Sequence, residues 1–298
     1  MSAVDTRVPQ PTTPTPPSPR RMGPDARRVT ARTVRYTLLF LFLVFVLIPV
    51  YVLLVTSFKP GTEATLTGAW DLPQNWTLDA WREAWDALSP SLWRSFAIAI
   101  PASIVSAILG SMNGFVFSRW RFPGSDIVFT LFLFGMFIPY QAVMIPLRQL
   151  TSDLGLASGV PTLIVVHIAY GIPICSLIFR GYYSTTIPNE LVEAGRVDGA
   201  GLIRTYALIV LPLSAPGFVV TLIWQFTSVW NDFLFAIFLS NTRNGPVTIA
   251  LNALAGGQLT DYAASMAGAL IASFPTLIVY IVLGRWFIGG LMAGSLKT

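Results

Sequence analysis

The residues that most often do chemistry are scarce in this chain: one histidine, His167, and one cysteine, Cys175, among 298 residues. Neither a disulfide framework nor a Cys/His metal site can be assembled from them. Phosphate chemistry is equally constrained, because a nucleotide-cradling loop must end in Gly-Lys-Ser/Thr for its lysine to reach the β- and γ-phosphates. The only lysines are Lys59, after Phe58, and Lys297, after Leu296. The expectation is therefore a non-enzyme that binds no cofactor or metal of its own and cannot hydrolyse ATP by itself. Asp232 is the sole acid inside the apolar runs, too little for a carboxylate relay coupled to protons or sodium. His167 reads as a satisfied packing residue between helices.

What remains is a set of uncharged hydrogen-bonding and aromatic side chains embedded in apolar sequence. Asn113, Tyr140, Gln141, Trp224, Gln225, Trp230 and Asn231 are of the types that hold a bulky polar solute weakly and release it. Joining neighbouring helices is the plainer use of each.

The elements around them are those of a membrane. The chain is 54% hydrophobic and 11% charged, with a mean hydropathy of +0.65, whereas an average soluble domain has about 25% charged residues. Residues 1–35 carry seven arginines and prolines at 9, 11, 14, 16, 17, 19 and 24, the composition of a disordered tail. The uncharged run from Tyr36 to Phe58 is long enough to cross a hydrocarbon core of about 30 Å. Five more runs follow at about 95–118, 127–147, 159–180, 207–239 and 263–288. The fold class is thus an all-α polytopic membrane protein with six transmembrane helices, the permease region occupying 36–298.

An even number of spans puts both termini on one side. The tail, the 119–126 loop, the 181–206 segment, Arg180, Arg285 and the C-terminal end hold 14 of the 19 Lys and Arg, which by the positive-inside rule makes that side cytoplasmic. The net charge of +5 then reports topology rather than affinity for nucleic acid. On the other side, Leu78, Trp81, Trp85 and Leu88 fall near helical spacing and predict a short helix lying on the membrane surface.

Between the fourth and fifth runs lies IPNELVEAGRVDGAGLIRTYALIVLPLSAP, residues 187–216. Pro188 and Asn189 can open a helix, Glu190 and Glu193 suit its first turn, and Asp198-Gly199 can end it. Leu191, Ala194 and Val197 recur along one face. By periodicity alone this is a loop helix resting on headgroups. Its residue order, Glu193-Ala194-Gly195, Asp198-Gly199-Ala200, Tyr206, Ile209, Leu211-Pro212 and Pro216, closely resembles the EAA signature of permease subunits of binding-protein-dependent ABC importers. Gly195 stands where the pattern has alanine, at a cost of roughly 0.5–1 kcal/mol in helix propensity. Tyr206 stands where it has phenylalanine, adding a hydroxyl that needs a partner. The C-terminal stretch Arg285-Trp286-Phe287, Gly289-Gly290-Leu291, Ala293-Gly294 looks like the maltose-permease-type subunit of carbohydrate importers, and 246–254 looks faintly like glucose-type relatives.

The resemblance implies the type I ABC importer permease fold, with a coupling helix at about 187–201 whose Glu193, Ala194, Gly195, Asp198, Gly199 and Ala200 meet a cytoplasmic ATPase. It further implies a second homologous permease, two ATPase subunits that use the ATP, an extracytoplasmic sugar-binding protein, a sugar substrate, and residence in the inner cell membrane. The outer loop at about 240–262 then reaches toward the binding protein or serves as a plain connector. Import of another solute, such as glycerol phosphate or a peptide, and a stand-alone carrier or channel stay open beside this reading.

Overall fold

The computed structural model describes residues 26–256 and 261–295, and the rest of the tail expected at 1–35 lies outside them. Contacts divide the chain into two units, Met1–Val50 and Tyr51–Thr298. The first unit contributes most of helix α1 (Ala26–Ser57). This helix starts well before the apolar run. Thr33 Oγ1 donates to Val29 O at 3.0 Å and the guanidinium groups of Arg32 and Arg35 lie 5.7 and 5.6 Å from the Tyr36 ring, so the end of the arginine-rich tail is helical rather than disordered.

The second unit is built from helices α2 (Gly61–Leu66), α3 (Asp79–Arg119), α4 (Ser125–Phe134), α5 (Tyr140–Asp153), α6 (Val160–Thr186), α7 (Asn189–Val197), α8 (Leu202–Thr205), α9 (Ala215–Trp230), α10 (Leu234–Leu239), α11 (Val247–Ala255) and α12 (Tyr262–Ser295). A π-helical segment, Tyr206–Val210, and a 3-10 turn, Leu211–Ser214, join α8 to α9. Among the described residues five helices can cross a membrane by length and composition, or six if a bent pair counts as one span.

Three of the expected spans differ in form. The surface helix predicted at 78–88 is not separate: it is the beginning of the 41-residue α3, which at 1.5 Å per residue runs about 60 Å. A stripe of Ala80, Ala84, Leu88, Leu92, Ser95, Ala99, Ala102 and Ser106 is buried along its whole length. Continuous burial on one side holds the helix together across Pro90, whose ring is on the exposed side. The third run is the bent pair, Ser125–Phe137 and Tyr140–Asp153 at 96°. Pro139 forces the residue before it out of helical geometry, and Ile138 is extended at φ −71°, ψ 122°. The fifth run is two helices, since the chain leaves α9 at Asn231 and re-enters helix at Leu234.

Helices α3 and α6 approach closely. A β-carbon at Gly114 would lie 2.6 Å from Phe179 Cβ and 2.8 Å from Arg180 N, and one at Gly110 would overlap Cys175 Cβ. Small residues four apart let the two backbones touch, as membrane helices require when burial from water gives no drive. The lone cysteine is part of this seam. The polar loop expected at 240–262 carries α11 in its middle, tied to α3 where Ser95 Oγ accepts from Val247 N at 2.7 Å and Arg94 Nε donates to Gly245 O at 2.8 Å.

Candidate functional site

At one end of the bundle α7 sits on an aromatic floor. Pro188 precedes it at φ −63°, ψ 145°, and its only buried residues, Val192 and Gly195, face Phe115, Phe179, Tyr183, Ile187 and Val210, with Trp120 and Tyr206 beside them. Leu191, Ala194 and Val197, which recur along one face in the sequence, are exposed, Val197 to 87%. The face that packs is set by Gly195, where a β-carbon would come within 2.9 Å of Ile209 Cδ1. Glycine there lets the π-helical segment press against α7.

The far end of α7 closes on a Schellman cap. Gly199 has φ +79°, its N–H donates to Arg196 O at 3.0 Å, and Ala200 N–H donates to Gly195 O at 2.9 Å, the paired bonds of that motif. The Asp-Gly-Ala of the signature is thus a helix stop, with Asp198 exposed and Ala200 half-buried. Glu193 is exposed and shares a recess of about 480 Å³ with Arg119, Arg121 and Arg196. Arg196 lies 3.8 Å over the Trp120 ring.

Arg119, the last residue of α3, ties α7 to the spans. Its Nε donates to Tyr183 O at 3.1 Å, its Nη2 to Ser184 O at 2.7 Å, and its Nη1 to Asn189 Oδ1. Two elements are gripped by one planar fork, which lysine cannot reproduce. Bonds to a charged donor contribute about 1.5–3 kcal/mol each, so Arg119→Lys is expected to lower the melting temperature of the detergent-solubilised protein and speed proteolysis within 184–200. Unchanged melting and cleavage would show that the fork holds nothing.

The second feature is a cavity of about 650 Å³ where α9 breaks from α10. Asp232 organises the break: its Oδ1 accepts from Phe235 N at 3.3 Å, its Oδ2 from Ala236 N at 3.1 Å, and its backbone oxygen from Thr248 Oγ1 at 2.8 Å. His167 Nε2 lies 3.6 Å from Asp232 Oδ2, both largely buried. The ring of Phe235 stands among Tyr170, Tyr140 and His167, with centroids 4.8, 5.6 and 5.6 Å away. Gln225 donates from Nε2 to His167 O at 3.2 Å. It fits because residue 171 is glycine; a β-carbon there would overlap the amide nitrogen.

Of the seven residues singled out for a solute path, Tyr140, Gln225 and Asn231 line this cavity. Trp230 does not: its Nε1 donates to Ala272 O at 2.9 Å and its ring packs on Phe96 and Phe226, joining α9 to α12. Trp224 and Gln141 are exposed and Asn113 is half-buried on α3, all outside the lining. His167, Tyr170, Ser228 and Asp232 line it without having been chosen. The signal for Asp232 was its isolation, a single acid in an apolar run beside Asn231.

Membrane-length helices around a cavity of aromatic and polar side chains, with a short helix seated at one end on the spans it follows, suit the membrane component of a solute permease. A family model described as "Binding-protein-dependent transport system inner membrane component" matches residues 99–291, and the chain belongs to that family. It is 36% identical over 286 residues to the xylose/arabinose import permease protein of Haloferax volcanii, covering 87% of this chain and 92% of the relative. It is 34% identical over 280 residues to the glucose import system permease protein of Saccharolobus solfataricus, covering 91% and 97%. A chain of a crystallised bacterial ABC transporter involved in import of the acidic polysaccharide alginate superposes with a TM-score of 0.73 at 22% identity, over 89% of this chain and 99% of that one; that likeness speaks for the fold.

Proposed function

We propose that this chain is one of two permease subunits of an ATP-driven carbohydrate importer, working with a second related permease, two cytoplasmic ATPase subunits and an extracytoplasmic sugar-binding protein. It forms half of the translocation pathway and does no covalent chemistry; the ATP is hydrolysed by the partner subunits. The observation that carries this reading is the seating of α7, buried on Val192 and Gly195 and exposed on Leu191 and Val197 with Glu190 and Glu193 beside them. A short rigid helix that is pinned to α3 and offers an apolar and acidic outer face can pass a partner's rigid-body motion to the spans. Glu193, Ala194, Gly195, Asp198, Gly199 and Ala200 make the joint.

The charge distribution supports an inner-membrane location with α7 and both termini on the cytoplasmic side. Sugar as the load is supported by the names of the xylose/arabinose and glucose relatives and by the cavity. Its lining offers Tyr140, Tyr170 and Phe235 as aromatic faces and Gln225, Asn231 and Ser228 as neutral partners, with no Lys or Arg among the lining residues. That chemistry suits a neutral polyhydroxylated solute.

Proteoliposomes holding the whole complex are expected to take up D-xylose, L-arabinose or D-glucose only with ATP inside and binding protein outside. Uptake by this chain alone would overturn the reading. In the same assay, Gln225→Leu combined with Asn231→Ala should slow sugar entry about fivefold, the effect of about one hydrogen bond, while receptor-stimulated ATP hydrolysis persists. An unchanged rate would remove the cavity from the sugar's route.

A further inference from the structure

Four hydroxyl groups from three stretches of chain meet beneath α7. Tyr206 OH lies 2.8 Å from Ser111 Oγ, Ser111 Oγ lies 2.6 Å from Tyr183 OH, and Tyr183 OH lies 2.8 Å from Ser214 Oγ. Ser214 Oγ in turn donates to Val210 O at 2.6 Å. Ser111, Tyr183 and Ser214 are fully buried, so each bond matters to the accounting of polar groups.

Proton counting fixes the direction. A carbonyl only accepts, so the single Ser214 proton goes to Val210 O and Tyr183 must donate to Ser214. Tyr183 has then spent its proton and accepts from Ser111, which accepts from Tyr206. The chain therefore starts on Tyr206 and ends on Val210, the first and last residues of the π-helical segment, having passed through α3 at Ser111 and α6 at Tyr183. A π turn is a wide, costly one that recurs at functional positions, and Pro212 beside it lacks the N–H that an ordinary helix would use. Tyr183 also gives its backbone oxygen to Arg119 Nε at 3.1 Å, so the same residue is held from the α7 side.

We propose that Tyr206, Ser111, Tyr183 and Ser214 are positioning residues that clip both ends of the π segment to α3 and α6, so that displacement of α7 moves these spans with it. The inference rests on the importer reading above and gives a task to the tyrosine that replaces the signature's phenylalanine. Tyr206 lies outside the cavity lining. Its hydroxyl transmits position.

The test uses the whole reconstituted complex with Tyr206→Phe, Ser111→Ala, the double variant, and Ser111→Thr as the conservative replacement that keeps a hydroxyl. Amount of assembled complex, ATP hydrolysis, D-xylose or D-glucose transported per ATP, and melting temperature are read for each. Both single variants are expected to assemble and hydrolyse ATP within about twofold of the native complex while sugar per ATP falls about fivefold. The double variant should be no worse than Ser111→Ala, because the two changes break one connection, and Ser111→Thr should restore the ratio. A native ratio in Tyr206→Phe, losses that multiply in the double variant, or a fall that only follows the amount of complex would overturn the proposal. A native complex that shows no ATP-driven uptake would instead overturn the importer reading; the clip would then stand or fall on whether the melting shifts of the two single variants fail to add.

Discussion

Replacing Gly199 is expected to uncouple transport in a graded series, with asparagine mildest, alanine intermediate and valine most severe, while the protein stays in the membrane. Gly199 has φ +79° and no atom within 4 Å of where a β-carbon would sit, so nothing steric inside this chain opposes a side chain. The cost is conformational. An L-residue held in the left-handed region loses about 1–2 kcal/mol, asparagine tolerates it better than most, and a β-branched residue there is an outlier. Helix α7 has nine residues and little burial of its own, and helices that short are marginal without their caps. A loss of that size unravels its last turn in a large share of molecules, moving Asp198 and Ala200. Sugar uptake by the whole complex should fall about twofold for Gly199→Asn, about tenfold for Gly199→Ala and further for Gly199→Val. If asparagine and valine were equally harmful, the outer surface of residue 199 would be what the ATPase needs, and backbone geometry would lose its role.

The stop at Gly199 was legible from the letters Asp-Gly after a short apolar period, because a turn signal of this kind acts locally. The buried face of α7 was not. Leu191, Ala194 and Val197 repeat every three residues, yet Val192 and Gly195 are inside, since the neighbouring Ile209 needs the space that glycine leaves. Periodicity reports which residues dislike water. On a helix that docks a partner as well as its own bundle, it does not report which surface meets which.

The same limit applied to the spans. Runs of apolar residues located the membrane-crossing segments, but whether one run makes one helix was decided elsewhere. Helix α3 continues through Pro90 because a stripe on its other side stays buried from Ala80 to Phe117. The apolar run at 207–239 breaks because Asp232 takes the amides of Phe235 and Ala236. At the break itself Asn231 lines the cavity, whereas Trp230 beside it spends its N–H on Ala272. Residue type gave candidates for a solute path; the side of α9 that each occupies separated buried, cavity-lining Gln225 from exposed Trp224.

Asp232→Ala is therefore expected to lower maximal sugar uptake by about tenfold, and Asp232→Asn by much less. Helix α10 has six residues, far too few to persist alone. Its first amides are held by Asp232, and its last carbonyls by Arg148 Nη1 on Phe238 O at 2.7 Å and Ser158 Oγ on Leu239 O at 2.9 Å. Removing an N-terminal cap costs about 1–2 kcal/mol, and the loss falls on Phe235, whose ring forms the wall shared with Tyr140 and Tyr170. Asparagine keeps one acceptor for the cap and gives up the charge beside His167. Because the change acts on the cavity wall rather than on the soluble binding protein, the sugar concentration for half-maximal uptake should stay fixed while the maximal rate drops. Equal losses for alanine and asparagine would mean that the negative charge facing His167, at 3.6 Å, is what transport requires, and the capping argument would fail.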